Sequence, residues 1–126
     1  RNNASNNQDN DWAMLRLADV HLMRAEAKFR KGDVAGALAD INPIRARAGV
    51  APMTALTLDN ILEERGRELA WEGWRRNDLI RFGKFTQVGG KFTSKFMVNP
   101  APHTTIFPIP QQRIDTNPGL VQNPGY

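Results

Sequence analysis

The sequence predicts a mainly all-α fold: a helix hairpin, then one long helix or two shorter ones end to end, with an extended C-terminal segment packed across the helices. Three observations carry that expectation. Apolar residues recur at 3, 4, 3, 4 spacing after Trp12. No proline interrupts residues 58–82, where Glu64 and Arg67, Glu72 with Arg75 and Arg76, and Asp78 with Arg81 stand three or four apart, the spacing at which opposite charges meet on a helix. Six of the eight prolines crowd into the final 27 residues, where their locked φ angles exclude a long helix. A chain of 126 residues with 40% hydrophobic content suits one domain or fragment with one modest core.

Residues 1–11 are almost wholly polar and read as a loop. Asp9, Asn10 and Asp11 resemble the start of a calcium loop, but Met14 and Val20 stand where the required glycine and glutamate would fall, so no calcium site is expected. Helical periodicity then covers residues 12–49. Asp11 is the expected N-cap of the first helix, and Leu15, Ala18, Leu22, Ala25 and Phe29 form its apolar stripe. Gly32 after Arg30 and Lys31 marks its end, and Asp33 caps a second helix burying Val34, Ala37, Leu38, Ile41, Ile44 and Ala48. Pro43 deprives the Ala39 carbonyl of its hydrogen-bond donor, which predicts a kink or break over 39–43. Gly49 and Pro52 stop the helix. This hairpin is similar to a tetratricopeptide repeat in Ala25, the Gly32-Asp33 turn, Ala37, Ile41 and Ile44. His21 and Lys28 replace the aromatic first-helix positions, and no second copy follows, so such a unit needs neighbours to cover its faces.

In the long helix, Gly66, Ala70, Gly73 and Asn77 line one small face where another segment can approach closely. Interior glycines cost about 1 kcal/mol each against alanine, which calls for a packing reason. Trp71 and Trp74 flank that face and are expected to anchor the core. Residues 83–126 form an ordered coil whose apolar side chains, among them Ile106, Phe107, Ile109, Ile114, Leu120, Val121 and Tyr126, dock on the helices; 106–110 is its extended piece and 111–114 makes a helical turn.

The net charge of +4 invites a nucleic-acid reading, but most arginines have acidic neighbours at helical spacing, and Lys84, Lys91 and Lys95 spread over a loop without an RNP, zinc-finger or helix-turn-helix signature. The absence of cysteine excludes disulfides and thiolate chemistry. His21 and His103 are too isolated for a metal cage or a nucleophile-base pair. Gly89 to Thr93 lacks the phosphate-loop glycine, since position 85 is Phe85. Glu68 and Glu72, one helical turn apart at about 5–6 Å, have the separation of a retaining glycosidase pair. They lie among Arg65, Arg67, Arg75 and Arg76, which would hold both ionised and deny either a general-acid role; a structural ion-pair network is the expectation, with no catalytic residue, no metal and no cofactor. Sugar binding without catalysis would use an exposed aromatic face, for which Trp12, Phe85, Phe92 and Phe96 are candidates, none flanked well enough to assign.

Three passages, LRLADVHLMRAEAKFRKGDVAGALADINPIRARAGV, ILEERGRELAWEGWRRNDLIRFGKF and FPIPQQRIDTNPGLVQNPGY, together resemble the C-terminal end of the SusD/RagB family of nutrient-binding outer-membrane lipoproteins of Bacteroidetes. They cover 13–82 and 106–126. Gly66, where the family commonly has arginine, and Pro43 depart from its pattern. The resemblance implies a helical protein built on tetratricopeptide-like pairs and tethered at the cell surface by a lipid anchor that is not in this chain. It would cap a SusC-like TonB-dependent transporter and pass it oligosaccharides or other nutrients, without catalysis and with the ligand pocket mainly upstream. The chain, starting at Arg1, is expected to be a fragment or processed piece, with Tyr126 the natural end of the mature protein. The rival reading of the same hairpin is a generic tetratricopeptide-type interaction module.

Overall fold

Two helix ends of the Schellman type frame the first hairpin. In the computed structural model, which describes residues 13–87 and 100–126, helix α1 runs Leu17–Arg30 and α2 runs Val34–Arg47. At the end of α1 the Asp33 N–H reaches the Lys28 carbonyl at 2.9 Å and the Gly32 N–H reaches Phe29 at 3.0 Å, a closure that needs the left-handed φ of +88° at Gly32. Asp33 then caps α2 by accepting from the Gly36 N–H at 2.8 Å. A Cβ on Gly36 would collide with that carboxylate, which explains a glycine in the first turn.

Ala18, Leu22, Ala25, Ala37, Ile41 and Ile44 are buried between α1 and α2, as their spacing requires. Three details differ from expectation. Helix α1 begins at Leu17 with Arg16 at its N-cap and no side-chain cap, and Leu15 is exposed; Asp11 lies outside the described residues. Val34 and Ala48, at the ends of α2, are exposed as well. Helix α2 also continues unbroken through Pro43, because Ala37, Ile41 and Ile44 on both sides of the proline are packed on α1 and hold the helical path. After α2, Asn42 pairs reciprocally with the Met53 backbone at 2.8 and 3.1 Å and fixes the returning chain.

The chain divides into two compact units, Arg1–Leu56 and Thr57–Tyr126. In the second, a capping box between Thr57 and Asn60 starts α3, Leu58–Glu68. The long helical stretch is realised as two helices, α4 spanning Arg75–Arg81. Between them Trp71 at φ +67° and Gly73 at φ +81° turn the chain. Leu62, Leu79 and Phe85 form the core of this unit, with Ile80 and Phe82 against it. The tail carries a 3₁₀ turn at Pro102–Thr105 and a short helix α5, Gln111–Thr116. Among the described residues there is no strand, and no helix is long and apolar enough to cross a membrane.

Candidate functional site

Charge placed inside each helix pair is the main feature that local spacing did not reveal. On α2, Asp40 falls in the buried register of Ala37, Ile41 and Ile44 and is itself buried. Across the hairpin, Arg24 Nε donates to both its oxygens at 3.1 and 2.9 Å, and Lys28 Nζ lies 2.9 Å away. The Arg24 hydrogen bond draws the Asp40 carboxyl down to about 2 against the upward push of burial, and Lys28 deepens the fall. Asp40 in turn pushes the Arg24 guanidinium above its usual range. His21 brings Nδ1 to 3.6 Å from the same carboxylate. Beside this clamp, Leu17, Ala18, His21, Pro43, Ile44 and Arg47 line a shallow, mainly apolar groove of about 210 Å³.

The α3/α4 junction repeats the device more deeply. Arg65 Nε donates to Asp78 Oδ2 at 2.9 Å, with the two side chains 3% and 2% exposed. Arg81 takes the other oxygen of Asp78 at 3.1 Å, and Glu64 binds Arg67 at 2.7 Å, both at the spacing expected from the sequence. Arg75 instead donates to the Leu62 carbonyl at 2.9 Å, and burial pulls its guanidinium below the usual value. Its guanidinium lies over Gly66, where a Cβ would come within 2.6 Å of Nη1. That is the close approach at Gly66 expected from the small face, made by an arginine rather than a helix. The remainder of the face is not packed: Ala70 and Asn77 are exposed and Gly73 serves the turn.

Several expected site residues are placed differently. Glu68 ends α3 and Glu72 lies in the turn, so they do not share a helix face; each is engaged in an interaction. Trp71 is not a core anchor but 98% exposed, because the left-handed turn throws it outward, while Trp74 is half-buried. Phe85, a candidate exposed aromatic, is 6% exposed in the core with Leu62 and Leu79; Trp12, Phe92 and Phe96 and the loop at Gly89 to Thr93 lie outside the described residues. Lys84 is 3.3 Å from Asp59, and Lys91 and Lys95 are likewise outside them. No cluster of three or more metal-ligating side chains occurs among the described residues.

The tail is fastened by polar groups more than by apolar anchors. Arg76 Nη2 donates to the Thr104 and Thr105 carbonyls at 2.7 and 3.2 Å, and its guanidinium lies 3.9 Å from the Phe107 ring centroid and 5.1 Å from that of Phe85. Gln122 accepts from the Ile109 N–H at 2.8 Å and donates to its carbonyl at 2.9 Å, a side-chain amide standing in for a paired strand. Asn123 donates to the Phe107 carbonyl at 2.7 Å and the Tyr126 hydroxyl to Ile106 at 2.8 Å. Tyr126 also sets its ring edge-on to His103 at 4.7 Å, and a Cβ on Gly125 would strike that histidine. Ile106, Phe107, Val121 and Tyr126 keep much of their surface exposed, contrary to the expected apolar docking.

Comparison with known proteins agrees with this architecture. The starch-binding protein SusD of Bacteroides thetaiotaomicron is 36% identical over 129 residues, covering 94% of this chain and 22% of the relative. A SusD-like protein from Bacteroides fragilis superimposes with TM-score 0.74 at 28% identity over 91% of this chain and 26% of its own length. A laminarin-binding SusD-like protein superimposes with TM-score 0.68 at 42% identity over 90% of this chain and 23% of its own. The chain thus spans about a quarter of the length of the relatives it matches. The SusD family model matches residues 1–126, and the chain belongs to that family.

Proposed function

We propose that this chain is the C-terminal helical part of a carbohydrate-binding protein of the outer cell surface, which captures a glycan non-covalently and delivers it to a SusC-like TonB-dependent transporter. The observation that supports it most is the likeness, over nine-tenths of the chain, to proteins named for binding starch and laminarin. The geometry is consistent with binding rather than turnover. Arg24 holds the Asp40 carboxyl well below the usual carboxylate range, which makes it a poor proton donor, and Asp78 and Glu64 are taken up in bonds to Arg65, Arg81 and Arg67. In this reading the chain supplies a rigid frame and a transporter-facing surface, with the lipid anchor and most of the pocket elsewhere in the longer protein.

Calorimetry of the full-length protein against a panel of neutral and charged oligosaccharides, with recovery of a co-purifying membrane barrel, tests the proposal. Saturable binding of a glycan together with the barrel is the expected result; a glycan-blind protein would overturn it. A second reading, a tetratricopeptide-type module that holds a peptide, draws on the apolar groove beside His21. Under that reading a peptide occupies the groove, and Leu17→Lys, at an exposed position of its lining, weakens that binding without touching glycan affinity.

A further inference from the structure

His21 and Lys28 stand where the tetratricopeptide pattern has aromatic residues, and in the folded hairpin both face one carboxylate. Asp40 Oδ2 is held by Lys28 Nζ at 2.9 Å, so Oδ1 is the oxygen open to exchange. Arg24 reaches Oδ1 through Nη2 and, at 3.1 Å, through Nε, while His21 Nδ1 lies 3.6 Å from it. The same Arg24 Nη2 is 3.4 Å from His21 Nδ1. A guanidinium only donates, so this contact assigns Nδ1 as an acceptor and puts the single proton of the ring on Nε2. The ring is neutral in this arrangement.

We propose that His21 and Arg24 exchange places on Asp40 when the ring takes up a proton, a pH-operated change of partner inside the α1–α2 hairpin. Imidazole is the side chain whose charge ordinarily changes between pH 5 and 8. Once protonated, Nδ1 meets the guanidinium donor to donor and gains the carboxylate oxygen as an acceptor, so both contacts at that nitrogen reverse in sign. The charged groups around the ring are Arg24 and Lys28 of α1 and Asp40 and Arg47 of α2, and a charged ring adds another cation beside a single carboxylate. Arg24 is the one that yields. Its side chain is 54% exposed against 33% for Lys28, its Nη2 competes for the contested oxygen, and water replaces the bonds it gives up. Asp40 stays buried and paired in both states, so the hairpin remains closed while a guanidinium turns to solvent. The exchange is independent of what the longer protein binds.

The test is a set of thermal melts at pH 5 and pH 8 on the full chain as wild type, Arg24→Gln, His21→Gln and the double variant, with nitrogen-15 spectra of the wild-type histidines over the same range. At pH 8 the His21 ring should carry its proton on Nε2 and leave Nδ1 bare. Arg24→Gln should lower the melting temperature at least about twice as much at pH 8 as at pH 5, where His21 already holds Asp40, and that difference should vanish in the His21→Gln background. Equal losses at the two pH values, or a difference that survives His21→Gln, would overturn the exchange. So would a proton on Nδ1 at pH 8, a reading that requires no variant to fold.

Discussion

The two helix pairs solve the same problem with different means. Helices α1 and α2 are joined by a tight turn and meet through six small or branched apolar residues, with Asp40 added at one edge where Arg24 and Lys28 remain partly in water. Helices α3 and α4 are joined by six residues, Leu69 to Trp74, and carry a fully buried ion pair between them. An apolar seam tolerates a lost charge, because the charge at its rim can be rehydrated. A buried pair does not, since removing one partner strands the other in a medium that solvates it poorly. The second unit is therefore the more brittle of the two.

Removing Asp78 should break that contrast most sharply. Asp78→Ala leaves Arg65 buried without its carboxylate and is expected to cost about 3–5 kcal/mol, read by urea denaturation, whereas replacing both with Arg65→Met and Asp78→Leu should recover most of the loss. Next in size, Arg76→Ala deletes two charge-assisted bonds and the contacts with Phe107 and Phe85, for about 2 kcal/mol. Residues 100–126 should then be cut faster by protease, and Arg76→Lys should rescue little because an ammonium cannot fork and stack.

The Asp40 clamp makes a smaller, pH-dependent contribution. Its folded carboxyl titrates near 2, below the ordinary 3.8, so the stabilisation is present above 3.8 and is lost as pH falls towards 2. The loss should be about 1 kcal/mol, once screening around the half-exposed Arg24 is allowed for, and Asp40→Asn should abolish the pH dependence. Smallest of all, Trp71→Gly should raise stability by about 0.5–1 kcal/mol by relieving the left-handed turn, measured as a higher melting temperature.

The same contrast explains what could be read in the residues. The hairpin was legible because its signals are local: stripes at helical spacing, a glycine that must turn left-handed, an aspartate at the next N-cap. Pairs at i+3, such as Glu64 with Arg67 and Asp78 with Arg81, were legible for the same reason. Arg65 with Asp78, thirteen residues apart, was not, because charges at that separation meet only once the break at 69–74 folds α4 back on α3. A signal was available: Arg65 follows Ile61 and Leu62 at +4 and +3 in the buried register, Asp40 follows Ala37 at +3 and precedes Ile44 by four, and a charge in such a register implies a partner across the interface. Trp71 misled because a long helical reading placed it beside the small face. Glu72-Gly73 within that run was the trace of a turn. The tail was legible as ordered but not in its cause, since Gln122 and Asn123 act by pairing with backbone that no periodicity marks.

Binding and hydrolysis are separated most directly by following laminarin and starch with the full-length protein in one experiment, recording heat of association and release of reducing ends. Carboxylates taken up in ion pairs of the scaffold predict saturable heat and no new reducing ends over days. Steady release of reducing sugar, lost in Glu68→Gln or Glu72→Gln, would contradict the account.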